Sequence, residues 1–138
     1  MAGRWLFKTE PGSYSWAQLE RDERTVWDGV KNALALKHLG AVAAGDEVLF
    51  YHTGDEKQVV GIGEVIREAF PDPSAGKGEP WVAVQTAADK PLPKPVTLAA
   101  VKAEPKLKTM ALVKYGRLSV QPVTADEWKI VCRMGGLK

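Results

Sequence analysis

The sequence predicts an α+β fold, a small mixed β-barrel flanked by short helices. Short runs rich in Val, Ile and aromatic residues occupy the middle of the chain, while helical patterns sit towards both ends. Strand and helix do not alternate regularly, which argues against a doubly wound parallel sheet. A length of 138 residues, 45% hydrophobic and 26% charged, fits one globular domain over residues 1–138 with a sizeable buried core.

Residues 4–9 alternate and are aromatic-rich, predicting a first strand that Pro11-Gly12 ends. Ser15 followed by Gln18 is a capping-box signature for a short helix carrying Trp16 and Leu19 on one face. Over residues 31–42 the apolar Leu34, Ala35, Leu39 and Val42 recur as on an amphipathic helix, until Gly45-Asp46 breaks the pattern. Residues 47–52 and 59–70 read as a hairpin, in which Gly61 and Gly63 share one face and invite a bulge, a bend or close approach by another chain.

The Pro- and Gly-rich residues 71–80 predict a surface loop, and the sheet restarts over 81–85. Thr97 caps a short helix that Pro105 stops, a second helical stretch lies near 107–114, and 118–121 form a last strand. Thr124 with Glu127 is another capping box, opening a terminal helix with Trp128, Val131 and Cys132 facing inward. Trp5, Phe7 and Trp128 are assigned to the core.

Several kinds of chemistry lack their residues. Only His38 and His52 are available as imidazole bases and no Gly-x-Ser-x-Gly turn is present, so no Ser is singled out as a nucleophile and no catalytic residue is assigned. One Cys and two widely separated His do not make a zinc site, and Cys132 reads as a buried structural thiol. Gly61-Ile62-Gly63 lies inside a strand run without the third Gly of a dinucleotide fold, and no phosphate loop occurs, so neither metal nor cofactor is expected. No apolar run reaches the roughly 20 residues that cross a bilayer, and the opening residues do not resemble a leader. The expectation is a protein without membrane contact, cytoplasmic, or nuclear where a nucleus exists. A net charge of +2 means that nucleic-acid binding would rest on a local basic rim rather than a uniform field.

The informative region is Trp27-Asp28-Gly29-Val30-Lys31-Asn32, close in sequence to Ser13, Tyr14 and Trp16. Alone, Trp27 reads as a core aromatic at a helix start. Beside it, Asp28 and Asn32 are four apart and can share one side of a helical turn, giving the ring with polar margin that a base-reading pocket requires.

These residues, with Trp5-Leu6-Phe7-Lys8-Thr9-Glu10-Pro11, Tyr14-Ser15-Trp16, Gly45-Asp46, Phe50-Tyr51-His52, Val60-Gly61-Ile62-Gly63-Glu64-Val65, Phe70-Pro71-Asp72-Pro73 and Arg117-Leu118-Ser119-Val120-Gln121-Pro122-Val123, resemble the EVE domain of the thymocyte nuclear protein family. The resemblance implies a PUA-like fold related to readers of methylated bases. It also implies a base pocket of Ser13, Trp27, Asp28, Val30 and Asn32, with Tyr51 and His52 as neighbours and Trp81 with the 71–80 loop as a lid. Lys8, Lys31 and Arg117 would meet the nucleic-acid backbone. For Tyr51 and His52 the alternative is a strand-end core pair, and for Arg117 an anchor of the barrel edge. The family pattern continues after the Asn with Tyr-Gln-Ala-Arg-Asn, whereas here Ala33-Leu34-Ala35-Leu36-Lys37 follow, removing polar and aromatic groups from the helix beside the implied pocket.

The expected function is a monomeric, non-enzymatic module that binds DNA or RNA and holds one flipped, modified base, such as a methylated or hydroxymethylated cytosine. Its rivals are an enzyme acting on a modified nucleoside with Asp28 or His52 as general base, and a small-molecule or protein-interaction module.

Overall fold

The computed structural model describes residues 3–76, 78 and 80–137. Among these residues six strands, β1 (Arg4–Thr9), β2 (Arg24–Trp27), β3 (Glu47–His52), β4 (Gln58–Pro71), β5 (Val82–Thr97) and β6 (Val120–Pro122), form one sheet in the order β2-β5-β4-β3-β1-β6. Only β1 and β3 run parallel, and the remaining neighbours are antiparallel.

The expected barrel is not closed, because β2 and β6 end the sheet without pairing to each other. Helix α2 (Ala33–Ala41) nevertheless packs against both β6 and β5. Those strands stand four places apart, about 19 Å in a flat sheet, whereas nine helical residues reach about 13 Å. The sheet must therefore curl, and α2 bridges the side left open. Register shifts within β3–β4 and β4–β5 supply the bends.

Both predicted capping boxes form. Ser15 opens α1 (Trp16–Asp22) and Thr124 opens α5 (Ala125–Met134), each side chain accepting from the N–H three residues on. Thr97 caps α3 (Leu98–Ala103), and Pro105 starts a single 3-10 turn before the short α4 (Ala111–Lys114). Two features were not predicted. β2 is too short to show alternation and pairs only with β5. β5 continues to Thr97 although Pro91, Pro93 and Pro95 interrupt it, since their alternate spacing turns every missing donor to one side and β2 pairs only with residues 84–87 of this strand.

The core lies in two clusters. Phe7, Trp16, Trp27 and Phe50 dominate one, with α1 and α2 residues, while Leu6, Leu49, Ile62, Leu92 and residues of α3–α5 fill the other. Gly61 lies beneath the Trp16 ring, where an added Cβ would come within 2.5 Å of the indole. The approach is by a side chain of the same chain rather than by another chain, and the register shifts beside Gly61 and Gly63 give the bulge that the two glycines invite. Of the residues assigned inward, Phe7 and Trp128 are buried, whereas Trp5 is half-buried with its indole N–H donated to Asp46, and Cys132 is half-buried.

Candidate nucleic-acid interface

β2 delivers Trp27 to one end of the sheet, and the chain then turns through Gly29, whose φ of 73° suits a residue without Cβ. Residues 28–32 are not helical; α2 begins only after Asn32, whose Oδ1 accepts from the Ala35 N–H at 3.0 Å. The helical pairing expected for Asp28 and Asn32 is thus absent. Asp28 is exposed, and Asn32 spends its carboxamide oxygen on the cap, keeping its amide hydrogens as donors.

Asp72, only 4% exposed, fixes this segment by accepting from the Gly29 N–H at 2.8 Å and from the Ser74 N–H and hydroxyl at 2.6 Å each. Burial opposes ionisation of Asp72, but the Ser74 and Gly29 hydrogen bonds and the Lys31 charge outweigh it and hold its carboxyl below the ordinary value. Nearby, the Lys31 ammonium sits 4.9 Å from the centre of the half-buried Trp81 ring. Backbone pairing of Asp72 with Trp81 at 3.0 Å closes the intervening loop, in which residues 77 and 79 lie outside the described residues.

The structure distributes the predicted site residues over several places. The Trp27 ring is 8% exposed, tilted against Phe7 at 5.2 Å and edge-on to Phe50 at 5.4 Å, so in the free molecule it is a core member rather than an open wall. Val30 joins the same cluster at 7% exposure. Tyr51 and His52 are adjacent on β3 and therefore point to opposite faces, which separates the expected pair. Tyr51 packs with the aliphatic cluster. Both nitrogens of His52 are engaged: Nε2 accepts from the Trp16 N–H at 3.0 Å and Nδ1 meets Glu56 at 2.8 Å. That arrangement specifies the Nδ1–H tautomer and leaves no nitrogen for a general base. Ser13 lies exposed in the turn after β1, its N–H on the Glu10 carbonyl.

Arg117, Asn32 and the exposed Leu34 and Tyr115 come together. With Gly116 and Leu118 they line a cleft of about 350 Å³ between the start of α2 and the segment joining α4 to β6. Leu34 and Tyr115, 45% and 54% exposed, are the two large apolar side chains left open among the described residues. Leu118 belongs to the cluster that holds Trp27, so the aromatic core backs the cleft. Two clamps fix its far wall: buried Gln121 donates to the Tyr115 carbonyl, and the Lys8 ammonium donates to the Gly116 carbonyl, both at 2.8 Å. Burial lowers the Lys8 pKa to about 8.

Sequence reasoning missed Leu34 as an exposed residue and missed Tyr115 altogether. Helix α2 buries only Ala35 and Leu39, so Leu34 stands off the inward stripe that its spacing suggested. For Tyr115 the available signal was an aromatic between Lys114 and Gly116-Arg117 at the end of a helix. Among the described residues no three His, Cys, Asp or Glu gather as metal ligands, and no helix is long and apolar enough to cross a membrane.

Known proteins match this architecture. A solution structure of a protein from Rhodopseudomonas palustris is 53% identical, with a TM-score of 0.92, covering 98% of this chain and 94% of that one. The crystal structure of the human THYN1 protein in complex with 5-methylcytosine-containing DNA is 28% identical, with a TM-score of 0.90 and 99% of both chains covered. Human thymocyte nuclear protein 1 aligns at 29% identity over 95% of this chain and 73% of its own length. An ASCH protein from Zymomonas mobilis, 12% identical with a TM-score of 0.56 and 92% of both chains covered, shares the fold alone. The EVE domain model matches residues 3–134, and the chain belongs to the EVE domain family.

Proposed function

We propose that this chain is a non-enzymatic, single-domain nucleic-acid-binding module, acting as a monomer, that accommodates a flipped, modified base such as a methylated or hydroxymethylated cytosine. The observation that carries this reading is the cleft of about 350 Å³ in which the exposed Leu34 and Tyr115 flank Asn32 and Arg117. Its volume is that of a small-molecule site, and its walls offer apolar contact with a few polar groups. In this reading Tyr115 stacks on the base, the Asn32 amide donates to its edge, and Arg117 meets a flanking phosphate. Lys31 extends the basic rim, and Lys8 acts by holding the Gly116 carbonyl. Trp27 and Val30 support the cleft from behind, and Asp72 keeps their segment in place. The complex of human THYN1 with 5-methylcytosine-containing DNA supports the same partner class.

Energetics limit the selectivity. Unstacking a base costs a few kcal/mol, and stacking on an aromatic side chain returns roughly 1–3 kcal/mol. The two nearly balance, so discrimination falls to small terms. One buried methyl contributes about 0.8 kcal/mol, close to a fourfold preference. Titration of matched modified and unmodified oligonucleotides at fixed salt tests the reading. Binding with a severalfold preference for the modified strand, and recovery of both strands unaltered by mass, is expected. No binding by the wild type, or conversion of the modified base, would overturn it.

A further inference from the structure

A second cavity, of about 350 Å³, lies where β3, β4, β5 and α5 meet, apart from the cleft of Tyr115 and Arg117. How it is built follows from the end of α5. Gly136, with φ of 90°, stops the helix: its N–H bonds to the Arg133 carbonyl and the Leu137 N–H bonds to the Cys132 carbonyl. This is the Schellman arrangement, which returns the residue after the glycine onto the last turn. The Lys94 N–H pairs with the Gly135 carbonyl at 3.0 Å and ties this tail to β5. Leu137 thereby joins Ile62 and Trp128 in the lining of the cavity.

Around this apolar floor stand Lys90, Lys129 and Arg133, with Glu47 as the one carboxylate. Arg4 adds a further cation, its guanidinium 6.0 Å from the Trp128 ring and its Nε buried without a hydrogen-bond partner. Among the described residues none of these five charges is in an ion pair. Burial pushes the Cys132 thiol upward, reinforced by Glu47 and opposed by Lys90 and Arg4, so these three charges lie close enough to act on it. Lys129 and Arg133 are four apart on α5 and continue into a neighbouring groove with Lys106, where Asp126 is the one carboxylate. In a chain of net charge +2, this concentration of unpaired cations against an apolar floor is local and specific.

We infer that this cavity is a binding site for an amphipathic anion, a small apolar chain or ring with one carboxylate or phosphate head. The body lies on Ile62, Trp128 and Leu137, and the head meets the lining cations Lys129, Arg133 and Lys90. Because the site shares no lining residue with the proposed base cleft, it stands or falls separately from that reading.

The test is a titration of the isotope-labelled full chain, followed by the Trp128 indole and Leu137 amide resonances, with octanoate and octyl phosphate. Octanol supplies the body alone and inorganic phosphate the head alone. Saturable shifts are expected with one or both amphipathic anions, at least tenfold weaker with octanol or phosphate, and weakened about tenfold or more in the Lys129→Ala/Arg133→Ala variant. Both substituted residues are exposed, and an unchanged Trp27 indole resonance verifies the fold. Arg117→Ala should leave the titration unaltered. The proposal is overturned by absence of shifts with both anions, by equal binding of octanol or phosphate, or by undiminished binding in the double variant.

Discussion

The two sides of the sheet draw on the same strands and solve packing differently. On one side Phe7, Trp16, Trp27 and Phe50 lock ring against ring, with centroids 5.2 to 5.4 Å apart in tilted or edge-on pairs. On the other, Leu6, Leu49, Val59, Ile62 and Leu92 make an aliphatic filling under α3, α4 and α5. Rigid rings leave little room for adjustment, and the backbone itself is shaped to them, as Gly61 shows beneath Trp16. Aliphatic side chains can repack by changing rotamer. The aromatic side therefore provides a stiff support, and the two open apolar side chains it backs, Leu34 and Tyr115, are free to meet a guest.

The comparison is broken most directly at Trp27. Replacing it by Ala should cost about 3–5 kcal/mol in urea unfolding, as for a large buried aromatic, whereas a platform open to solvent would tolerate the change within about 0.5 kcal/mol. Next is Gly61→Ala, expected to destabilise by about 1–3 kcal/mol through overpacking against Trp16. In a double-mutant cycle Trp16→Leu should recover much of that loss, and additive effects would show that the ring is not the obstacle. On the aliphatic side Ile62→Val should cost only about 0.5–1.5 kcal/mol.

Those expectations also show what the sequence could convey. Capping boxes at Ser15 and Thr124 rest on side chains within three residues of the backbone they satisfy, so they were legible, as were the hairpin and the bulge at Gly61 and Gly63. β2 and the continuation of β5 through Pro91, Pro93 and Pro95 were not, because their pairing is with distant residues and contradicts local propensity. Around the proposed site, the sequence singled out the segment 27–32 and Arg117, yet not their division between core and surface. An aromatic beside polar groups suits a pocket wall or a core margin equally, and only the positions of Phe7 and Phe50 decide that Trp27 is covered.

A smaller effect sharpens the role of Lys8. Its pKa is lowered from 10.5 to about 8, so the charged form is disfavoured in the folded state. Between those values the unfolded chain binds more protons than the folded one, and this contribution to stability rises with pH across that window. Wild type should gain stability relative to Lys8→Met as pH increases from about 8 towards 10.5, read as the difference between their urea curves. A difference independent of pH would contradict the assignment. Tyr115→Ala, at the exposed end of the scale, should change stability by no more than about 0.5 kcal/mol.

That near-neutrality makes Tyr115 the decisive probe of where the base is held. Affinity for an oligonucleotide with one 5-methylcytosine should be measured at fixed salt for Tyr115→Ala and, in parallel, for the conservative core change Trp27→Phe. The cleft account predicts a loss of about 1–3 kcal/mol, roughly 5- to 150-fold, for Tyr115→Ala and a much smaller loss for Trp27→Phe. Undiminished affinity in Tyr115→Ala together with collapse in Trp27→Phe would place the base against the inner ring and contradict it.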